Sequence, residues 1–327
     1  MEKITEKIRE TAKRALANKE VDVILGWEKG EFWYDAYPVF ITGEQEAEAL
    51  VWNTFCVHNL SKYLITELKK PQKIGVFLKG CDALAFNQLI KDNRIEADRV
   101  VVYGVPCAGM IDPEKVKKAG LYKGLLEIKR SGDEITFVTK NGEQKVTGRQ
   151  FDYDKCLQCN YPTPVVYQEL MGEAVARAVN AADRFKEVAE MEAMSPDERY
   201  DYWADQFSKC LRCNACRNIC PACSCEKCVF DNQALGVAGK AKVDSEDQFF
   251  HIVRAYHVAG RCVDCGECSR VCPAGIPIHK INRKIIKDIN ELYGDYDAGA
   301  DNSQATPLIS YKLEDVDPFE TSKKGGK

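Results

Sequence analysis

The sequence has no apolar run long enough to cross a membrane, and this absence excludes a helical membrane span. Its first stretch, MEKITEKIRETAKRALANKE, is a charged amphipathic pattern without the apolar core of a secretory signal. Neither sign of charge dominates, because 46 Lys and Arg oppose 50 Asp and Glu for a net charge of -4. The sequence therefore gives no indication of a polyanion-binding surface. We expect a soluble cytoplasmic protein that does not bind nucleic acid.

Several motifs of common enzyme classes are also missing. The sequence contains no G-x-G-x-x-G after a strand, no phosphate-binding loop, no nucleophile elbow and no H-E-x-x-H. A nicotinamide site of the usual Rossmann type is therefore not supported, whereas a flavin held by other loops is compatible with the sequence. Histidine is scarce, and the four histidines lie in helical patterns without a ligand-like pairing.

Cysteine, by contrast, is abundant, with 16 residues in a chain of 327. Three explanations compete, namely a disulfide scaffold, zinc sites and iron–sulfur clusters. A chain of this length can form two domains with hydrophobic cores and does not need disulfides to hold them together. Disulfide scaffolds are typical of short secreted chains, so metal ligation is the expected use of these thiols.

The strongest pattern is a repeated cysteine spacing, C-x2-C-x2-C-x3-C-P, which begins once at Cys210 and again at Cys262. Bacterial ferredoxins hold two [4Fe-4S] clusters with this spacing, and the fourth cysteine of each run usually ligates the other cluster. Zinc sites have no use for the proline-terminated fourth position. The crossed scheme predicts a first cluster with four ligands: Cys210, Cys213, Cys216 and Cys272. It predicts a second cluster with the remaining ligands: Cys262, Cys265, Cys268 and Cys220.

The periodicity of the N-terminal half predicts an α/β domain with a mixed sheet over residues 1–165. A helix to about Asn18, two strands and a long helix from Gln45 to Lys69 come first. A strand–helix–strand crossover then covers residues 73–103. Asn141-Gly142 marks a tight turn, which predicts a small antiparallel hairpin.

The C-terminal half has a helical pattern from about Pro164, and we predict a helical linker over residues 166–205. Ser195 is expected to cap a helix whose first position is Pro196. A mainly helical dicluster ferredoxin domain should follow at 206–293, because an amphipathic helix, DSEDQFFHIVRAYHVAG, separates the two cysteine runs. The polar tail, 294–327, is expected to be poorly ordered or ordered only on a partner.

Four further cysteines belong to the N-terminal half. Cys81 and Cys107 each follow a buried strand, and open α/β sheets bind ligands at the carboxyl ends of their parallel strands. Small residues such as Gly80 would let the backbone approach a bulky cofactor there. With the later C-x2-C pair, Cys156 and Cys159, these thiols predict a third [4Fe-4S] cluster. The alternative is that Cys81 and Cys107 are small buried apolar residues.

The segment CPACSCEKC contains three more cysteines whose role the spacing leaves open: Cys223, Cys225 and Cys228. They are candidates for lining the dicluster, for a further metal site with Cys156 and Cys159, or for replacing Cys81 and Cys107 as ligands. Cys56, among apolar residues of the predicted long helix, is expected to be part of the core.

A family resemblance is carried by four segments: VILGWEKGEFWYDAYPVF, VFLKGCDALAFNQLI, VYGVPCAGMID and KCLQCNYPTP. These segments resemble the beta subunits of coenzyme F420 hydrogenases and related formate dehydrogenases. In that family the subunit is a flavin and iron–sulfur protein that passes electrons between clusters and a two-electron carrier. The family's Gly-Pro-Cys element matches Gly104 to Cys107 and its C-x2-C matches Cys156 and Cys159, which favours the third cluster. The architecture is also similar to proteins that accompany heterodisulfide reductase-like complexes.

We therefore expect an iron–sulfur electron-transfer subunit of a multi-subunit anaerobic redox complex, an oxidoreductase of the F420- or flavin-linked dehydrogenase or hydrogenase type. An FAD would convert between one-electron clusters and a two-electron carrier. The expected partners are other redox subunits of hydrogenase, formate dehydrogenase or heterodisulfide reductase-like type. The alternative is a pure electron relay that has no substrate site of its own.

Overall fold

The N-terminal region is built around a mixed five-stranded sheet with the order β2-β1-β3-β4-β8. The structure is a computed structural model that describes residues 1–177, 183–237, 239 and 242–309. The strands of this sheet are β1 (Val23–Lys29), β2 (Ala36–Ile41), β3 (Ile74–Leu78), β4 (Val100–Gly104) and β8 (Glu169–Leu170). In the part of the chain that is described, no helix is long and apolar enough to span a membrane.

Strand direction explains why the sheet is mixed. The edge strand β2 pairs antiparallel with β1. The other four strands, β1, β3, β4 and β8, run parallel to one another. Every residue of β3, IGVFL, is buried, as expected for a central parallel strand covered on both faces. The predicted α/β region with a mixed sheet is confirmed.

Helices and a second, antiparallel sheet complete this region. The helices are α1 (Glu2–Ala17), α2 (Ser61–Glu67), α3 (Gly80–Lys91), α4 (Pro113–Lys118) and α5 (Asp154–Leu157), with 3-10 helices at Glu44–Ala49 and Ala97–Arg99. The second sheet contains β5 (Leu125–Ser131), β6 (Glu134–Thr139) and β7 (Gly142–Thr147). The predicted hairpin is confirmed, although its two turn residues are Lys140 and Asn141, one position earlier than expected, and Gly142 pairs with Thr139.

The predicted long helix from Gln45 to Lys69 is wrong. The chain instead forms the 3-10 helix, an irregular stretch and the short helix α2. The Asn53 side chain accepts a hydrogen bond from the N–H of Phe55 at 2.8 Å, and the Asn59 side chain accepts one from Ser61 at 3.2 Å. Such local side-chain bonds compete with helical ones. Cys56 lies in the irregular stretch and is fully buried, which confirms it as a core residue.

The helix expected from Pro164 is also wrong within residues 164–177, and residues 178–182 lie outside the described part. The chain here adds β8 to the sheet, because the N–H of Gln168 donates to the Val102 carbonyl and the N–H of Met171 donates to the Gly104 carbonyl. Residues 168–171 thus pair with the edge of β4 that would otherwise be open. Helical structure begins with α6 (Lys186–Glu192) and α7 (Pro196–Ser208). Ser195 caps α7 as predicted, accepting a hydrogen bond from Glu198.

The C-terminal region is built mainly from helices joined by irregular loops. They are α8 (Ala215–Ile219), α9 (Asp244–His257), α10 (Glu267–Arg270) and α11 (His279–Tyr293), with 3-10 helices at Val229–Asp231 and Gln233–Leu235. The expectation of a poorly ordered tail is wrong for residues 294–309. Tyr296 is buried, and the Gly299 carbonyl accepts a hydrogen bond from the Asn87 side chain at 2.9 Å. Residues 310–327 lie outside the described part.

Candidate iron–sulfur site

The two cysteine runs have the same backbone conformation. In the first loop Arg212 and Asn214 have φ values of 51° and 61°, and in the second Asp264 and Gly266 have 55° and 63°. Each loop then continues into a short helix, α8 or α10. Left-handed residues at such spacing turn backbone N–H groups toward the inside of a loop, where they favour an anionic group. The N–H of Arg212 already donates to the Cys210 sulfur at 3.3 Å.

The structure brings the fourth cysteine of each run to the other run. Burial raises the pKa of the Cys216 thiol to about 12, and Cys268, Cys210 and Cys272 contribute to that increase while Arg254 opposes it. Burial likewise raises the pKa of Cys262, with Cys220 as the next contributor. Cys220 is also an electrostatic neighbour of both Cys265 and Cys268. This arrangement is the one that the crossed scheme requires.

The donor set fits a [4Fe-4S] cluster in chemical terms. Four of the eight thiols are buried, and the side chains of Cys210, Cys216, Cys220 and Cys268 belong to the hydrophobic clusters of this region. A buried thiol resists ionisation unless a cation compensates the thiolate. Bound iron supplies that charge, and thiolate is its preferred ligand in clusters of this type. Cys213 is the exposed member of the set.

One arginine lies between the two groups of thiols. Arg254 is 3% exposed, and its three guanidinium nitrogens have no hydrogen-bond partner in the described residues. Burial opposes its charge, yet the neighbouring sulfurs of Cys268, Cys220 and Cys216 raise its pKa above the ordinary value. An orphaned buried cation among thiols indicates that this pocket is built to hold negative charge.

The third group of cysteines also converges. Cys81 is the second residue of α3, directly after β3, and Cys107 follows the neighbouring parallel strand β4. Together with Cys156 and Cys159 they line a cavity of about 180 Å³, whose wall also includes Cys265 of the second run. Burial raises the pKa of Cys107 to about 12 and that of Cys159 to about 11. All four thiols therefore surround one enclosed space beside the second cluster site.

Gly80 lines the cavity of the third cysteine group and also permits a close contact within the protein. A Cβ atom at this position would lie 1.6 Å from the Tyr161 carbonyl oxygen. The glycine thus lets the loop that follows Cys159 pack against the start of α3. This close contact joins two segments of the same chain, and it brings the C-x2-C pair to Cys81.

An ion-pair cluster joins the third cysteine group to the second run. The Lys155 ammonium lies 2.6 Å from the Glu267 carboxylate, and Arg270 donates two hydrogen bonds to the same carboxylate at 2.9 and 2.8 Å. Glu267 is 1% exposed. Burial alone would raise its pKa, but Lys155 and Arg270 lower it below the ordinary value. The two cations therefore keep this buried carboxylate ionised.

Comparisons with known proteins agree with this geometry. A family model described as a 4Fe-4S dicluster domain matches residues 206–276. The F420-dependent formate dehydrogenase subunit beta of Methanocaldococcus jannaschii is 26% identical, over 89% of this chain and 90% of its own. The F420-dependent formate dehydrogenase 1 subunit beta of Methanococcus maripaludis is 25% identical, over 88% and 89% respectively. The chain is similar to these beta subunits over nearly its whole length. It is an iron–sulfur electron-transfer subunit, and the resemblance seen in the sequence is confirmed.

A solved structure gives a weaker likeness. One chain of a xenon-derivatised F420-reducing [NiFe] hydrogenase complex from Methanosarcina barkeri aligns with 63% of this chain and 89% of its own length. The TM-score is 0.39 and the sequence identity is 11%.

The cysteines of CPACSCEKC lie apart from the third group. All three line a different cleft from the cavity of Cys81 and Cys156, so two of their proposed roles find no support in the described structure. Cys223 lies next to Cys220: its N–H donates to the Cys220 carbonyl at 3.2 Å, and its thiol lowers the pKa of Cys220.

One neighbour of the first cluster site was missed from the sequence. His251, on α9, places Nε2 3.3 Å from the Cys210 sulfur and stacks on Phe207 with ring centroids 4.6 Å apart. Burial, aided by Arg254, lowers its pKa to about 3, so the ring is neutral. The signal was present, because Asp247, His251 and Arg254 lie on one face of the amphipathic helix and all three are buried.

Proposed function

We propose that this subunit carries three [4Fe-4S] clusters and passes electrons through them between partner redox subunits and a flavin or soluble two-electron carrier. The observation that carries the proposal is the continuity of the three thiol groups. Cys265, assigned to the second cluster, also lines the cavity of the third group. Thiols of the first and second groups interact across the two runs at Cys216 and Cys268. Electrons could thus move along one row of centres.

The ligands follow from the same contacts. The first cluster would be held by Cys210, Cys213, Cys216 and Cys272, and the second by Cys262, Cys265, Cys268 and Cys220. The third would be held by Cys81, Cys107, Cys156 and Cys159. Backbone N–H groups of the two left-handed loops would turn toward the cluster sulfides and stabilise their negative charge.

A basic cleft supports a binding place for the two-electron carrier. It has a volume of about 690 Å³ and lies between the α4 end of the N-terminal region and the second cysteine run. Lys115, Lys117 and Lys118 line one side together with the Tyr34 ring, and Cys272 reaches the opposite wall. Ammonium groups and a tyrosine ring suit a planar cofactor with anionic substituents. A carrier bound here would lie beside the first cluster.

The relatives named above support F420 as the soluble carrier and a formate dehydrogenase or hydrogenase subunit as the partner. Flavin would supply the conversion between one-electron and two-electron transfer. A pure relay, with neither flavin nor carrier on this chain, is not favoured. The two relatives described above are subunits of F420-dependent enzymes, and each aligns with this chain over nearly its whole length.

A single preparation tests the proposal. The full chain is purified anaerobically, iron, zinc and acid-labile sulfide are measured per chain, and the denatured supernatant is assayed for flavin fluorescence. Iron and sulfide for three cubanes, with stoichiometric flavin, is the expected result. The same metal content without flavin would favour the pure relay, and zinc without sulfide would overturn the cluster proposal.

A further inference from the structure

A separate cleft of about 370 Å³ is lined by three of the four cysteines that the cluster proposal leaves unused, namely Cys223, Cys225 and Cys228. Cys225 is exposed and Cys228 half-buried. The chain bends at Glu226 and Lys227 between them, so the two cysteines flank the bend and face the same cleft. A C-x2-C pair at an accessible bend is the arrangement that dithiol redox sites use.

The wall of this cleft carries an excess of positive charge. Among the described residues its cationic side chains are Lys62, Arg217, Arg254 and Arg261, and its acidic ones are Glu226 and Asp231. Arg261 is paired with Asp92 at 2.6 Å outside the cleft, so the excess comes from Lys62 and Arg254. Arg217 lines the cleft together with Cys228 and pairs with Asp231 at 2.9 Å. Cations beside a thiol favour the thiolate, which is the nucleophile in disulfide exchange.

The cleft also adjoins the second cluster site. Arg254, buried and without a hydrogen-bond partner in the described residues, lines the cleft on one side and contacts the dicluster sulfurs on the other. Cys223 lies between the two, since it lines the cleft and packs against the buried cluster that contains Cys220, with its N–H donating to the Cys220 carbonyl at 3.2 Å. Lys62 fixes this part of the loop by donating to the Cys223 carbonyl at 2.8 Å.

We propose that Cys225 and Cys228 form a redox-active dithiol–disulfide pair that draws electrons from the second cluster and reduces a small disulfide carrying anionic groups. The proposal rests on the cluster function above. Reduction of the Cys225–Cys228 disulfide breaks the S–S bond, with two electrons arriving singly from the cluster and two protons from solvent. The Cys225 thiolate then attacks the bound disulfide and expels one substrate thiol. Cys228 attacks the resulting mixed disulfide, releases the second thiol and restores the internal disulfide.

The first test is a thiol titration on the anaerobically purified full chain. The protein is equilibrated in dithiothreitol buffers of varied reduced-to-oxidised ratio and labelled with N-ethylmaleimide, and the labelled positions are read by mass spectrometry. Cys225 and Cys228 are expected to gain label together, as one two-electron couple. In Cys225→Ser the Cys228 thiol should be labelled at every ratio, and Cys228→Ser should do the same for Cys225. Either thiol staying reactive throughout in the unmutated chain would overturn the proposal.

Metal content separates this proposal from the cluster function on which it rests. Iron and acid-labile sulfide should be unchanged in both serine variants. Loss of one cubane of iron in either variant would assign the residue as a cluster ligand and overturn the dithiol proposal. A chain without cubanes before mutation would instead refute the cluster function itself.

The substrate class has its own test with 5,5′-dithiobis(2-nitrobenzoate), a disulfide that bears carboxylates. The thiol release due to the pair is the difference between the reduced chain and its Cys225→Ser/Cys228→Ser variant. Lys62→Gln should slow this release severalfold, since it removes a cation from the cleft, without changing the iron content. Lys227→Gln is the matched control, because Lys227 lies in the same bend but does not line the cleft. Equal rates for the two variants would refute the anionic-substrate assignment.

Discussion

At the scale of single residues, Arg254 is a buried cation that interacts with thiols of both dicluster groups. A reduced cluster carries one more negative charge than an oxidised one, so a buried cation beside it stabilises reduction. Arg254→Gln should therefore lower the cluster reduction potentials by on the order of 100 mV, from a Coulomb energy of about 2–3 kcal/mol at an effective dielectric near 20. Potentiometric titration followed by electron paramagnetic resonance measures the shift. Arg254→Lys should restore most of it, and a Gln variant with unshifted potentials would contradict this role.

The crossed ligation is also a prediction about single residues. Cys220→Ser should damage the cluster held by Cys262, Cys265 and Cys268, although Cys220 belongs to the other run. Cys216→Ser is the matched control and should damage the first cluster instead. Iron content and the spectra of the remaining cluster distinguish the two variants. If both variants lost the same cluster, the crossed scheme would be wrong.

The cysteines were predictable from the sequence because their spacing is local. The groups around them were not, because they come from distant segments. His251 approaches Cys210 across 41 residues, and Lys155 pairs with Glu267 across 112. Periodicity shows that such a residue lies on a buried face, but not which neighbour it meets.

At the scale of elements, the loops of the two cysteine runs differ in one testable way. The second of the two left-handed positions is Asn214 in the first loop and Gly266 in the second loop. A Cβ at Gly266 would lie 2.6 Å from the Lys155 Cβ atom. Gly266→Ala should thus cost about 1 kcal/mol of backbone strain and also displace Lys155. We expect faster loss of second-cluster absorbance under a chelator.

The matched substitution in the first loop is Asn214→Gly. It relieves a left-handed asparagine and should leave cluster stability unchanged or slightly higher. Equal sensitivity of the two loops to these changes would show that the close contact with Lys155 has no effect.

The predictions of secondary-structure elements were correct where the hydrogen bonds join neighbouring residues. They were wrong where the hydrogen bonds join distant segments or come from side chains. The hairpin between β6 and β7 and the Ser195 cap depend on neighbouring residues, and both are confirmed, with the turn one residue before the expected Asn141-Gly142. The segment that contains β8 has an apolar pattern compatible with a helix, but its backbone pairs with β4 about 66 residues earlier. Side-chain bonds from Asn53 and Asn59 similarly break the predicted long helix.

At the scale of the whole molecule, the two regions are joined by a hydrophobic cluster that includes Leu84, Ala85 and Tyr296 and by polar contacts around it. The Lys155–Glu267–Arg270 cluster joins α5 to α10. Asp297, beyond α11, accepts a hydrogen bond from the Tyr161 hydroxyl at 2.7 Å, in the loop after the C-x2-C pair. Both contacts lie beside the third cysteine group, so its geometry depends on how the regions dock.

Removing one charge from the Lys155–Glu267–Arg270 ion-pair cluster should weaken the contact between the two regions. Lys155→Met leaves the Glu267 carboxylate with Arg270 as its remaining cation, and breaking a buried pair costs about 3 kcal/mol. Hydrogen exchange of the backbone amides in α5 and α10 should accelerate together, by on the order of 100-fold if both open as one unit. Lys209→Met is the control, because its pair with Asp205 is exposed and worth at most about 1 kcal/mol. Acceleration in α10 alone would show that the ion pair stabilises the second loop without joining the two regions.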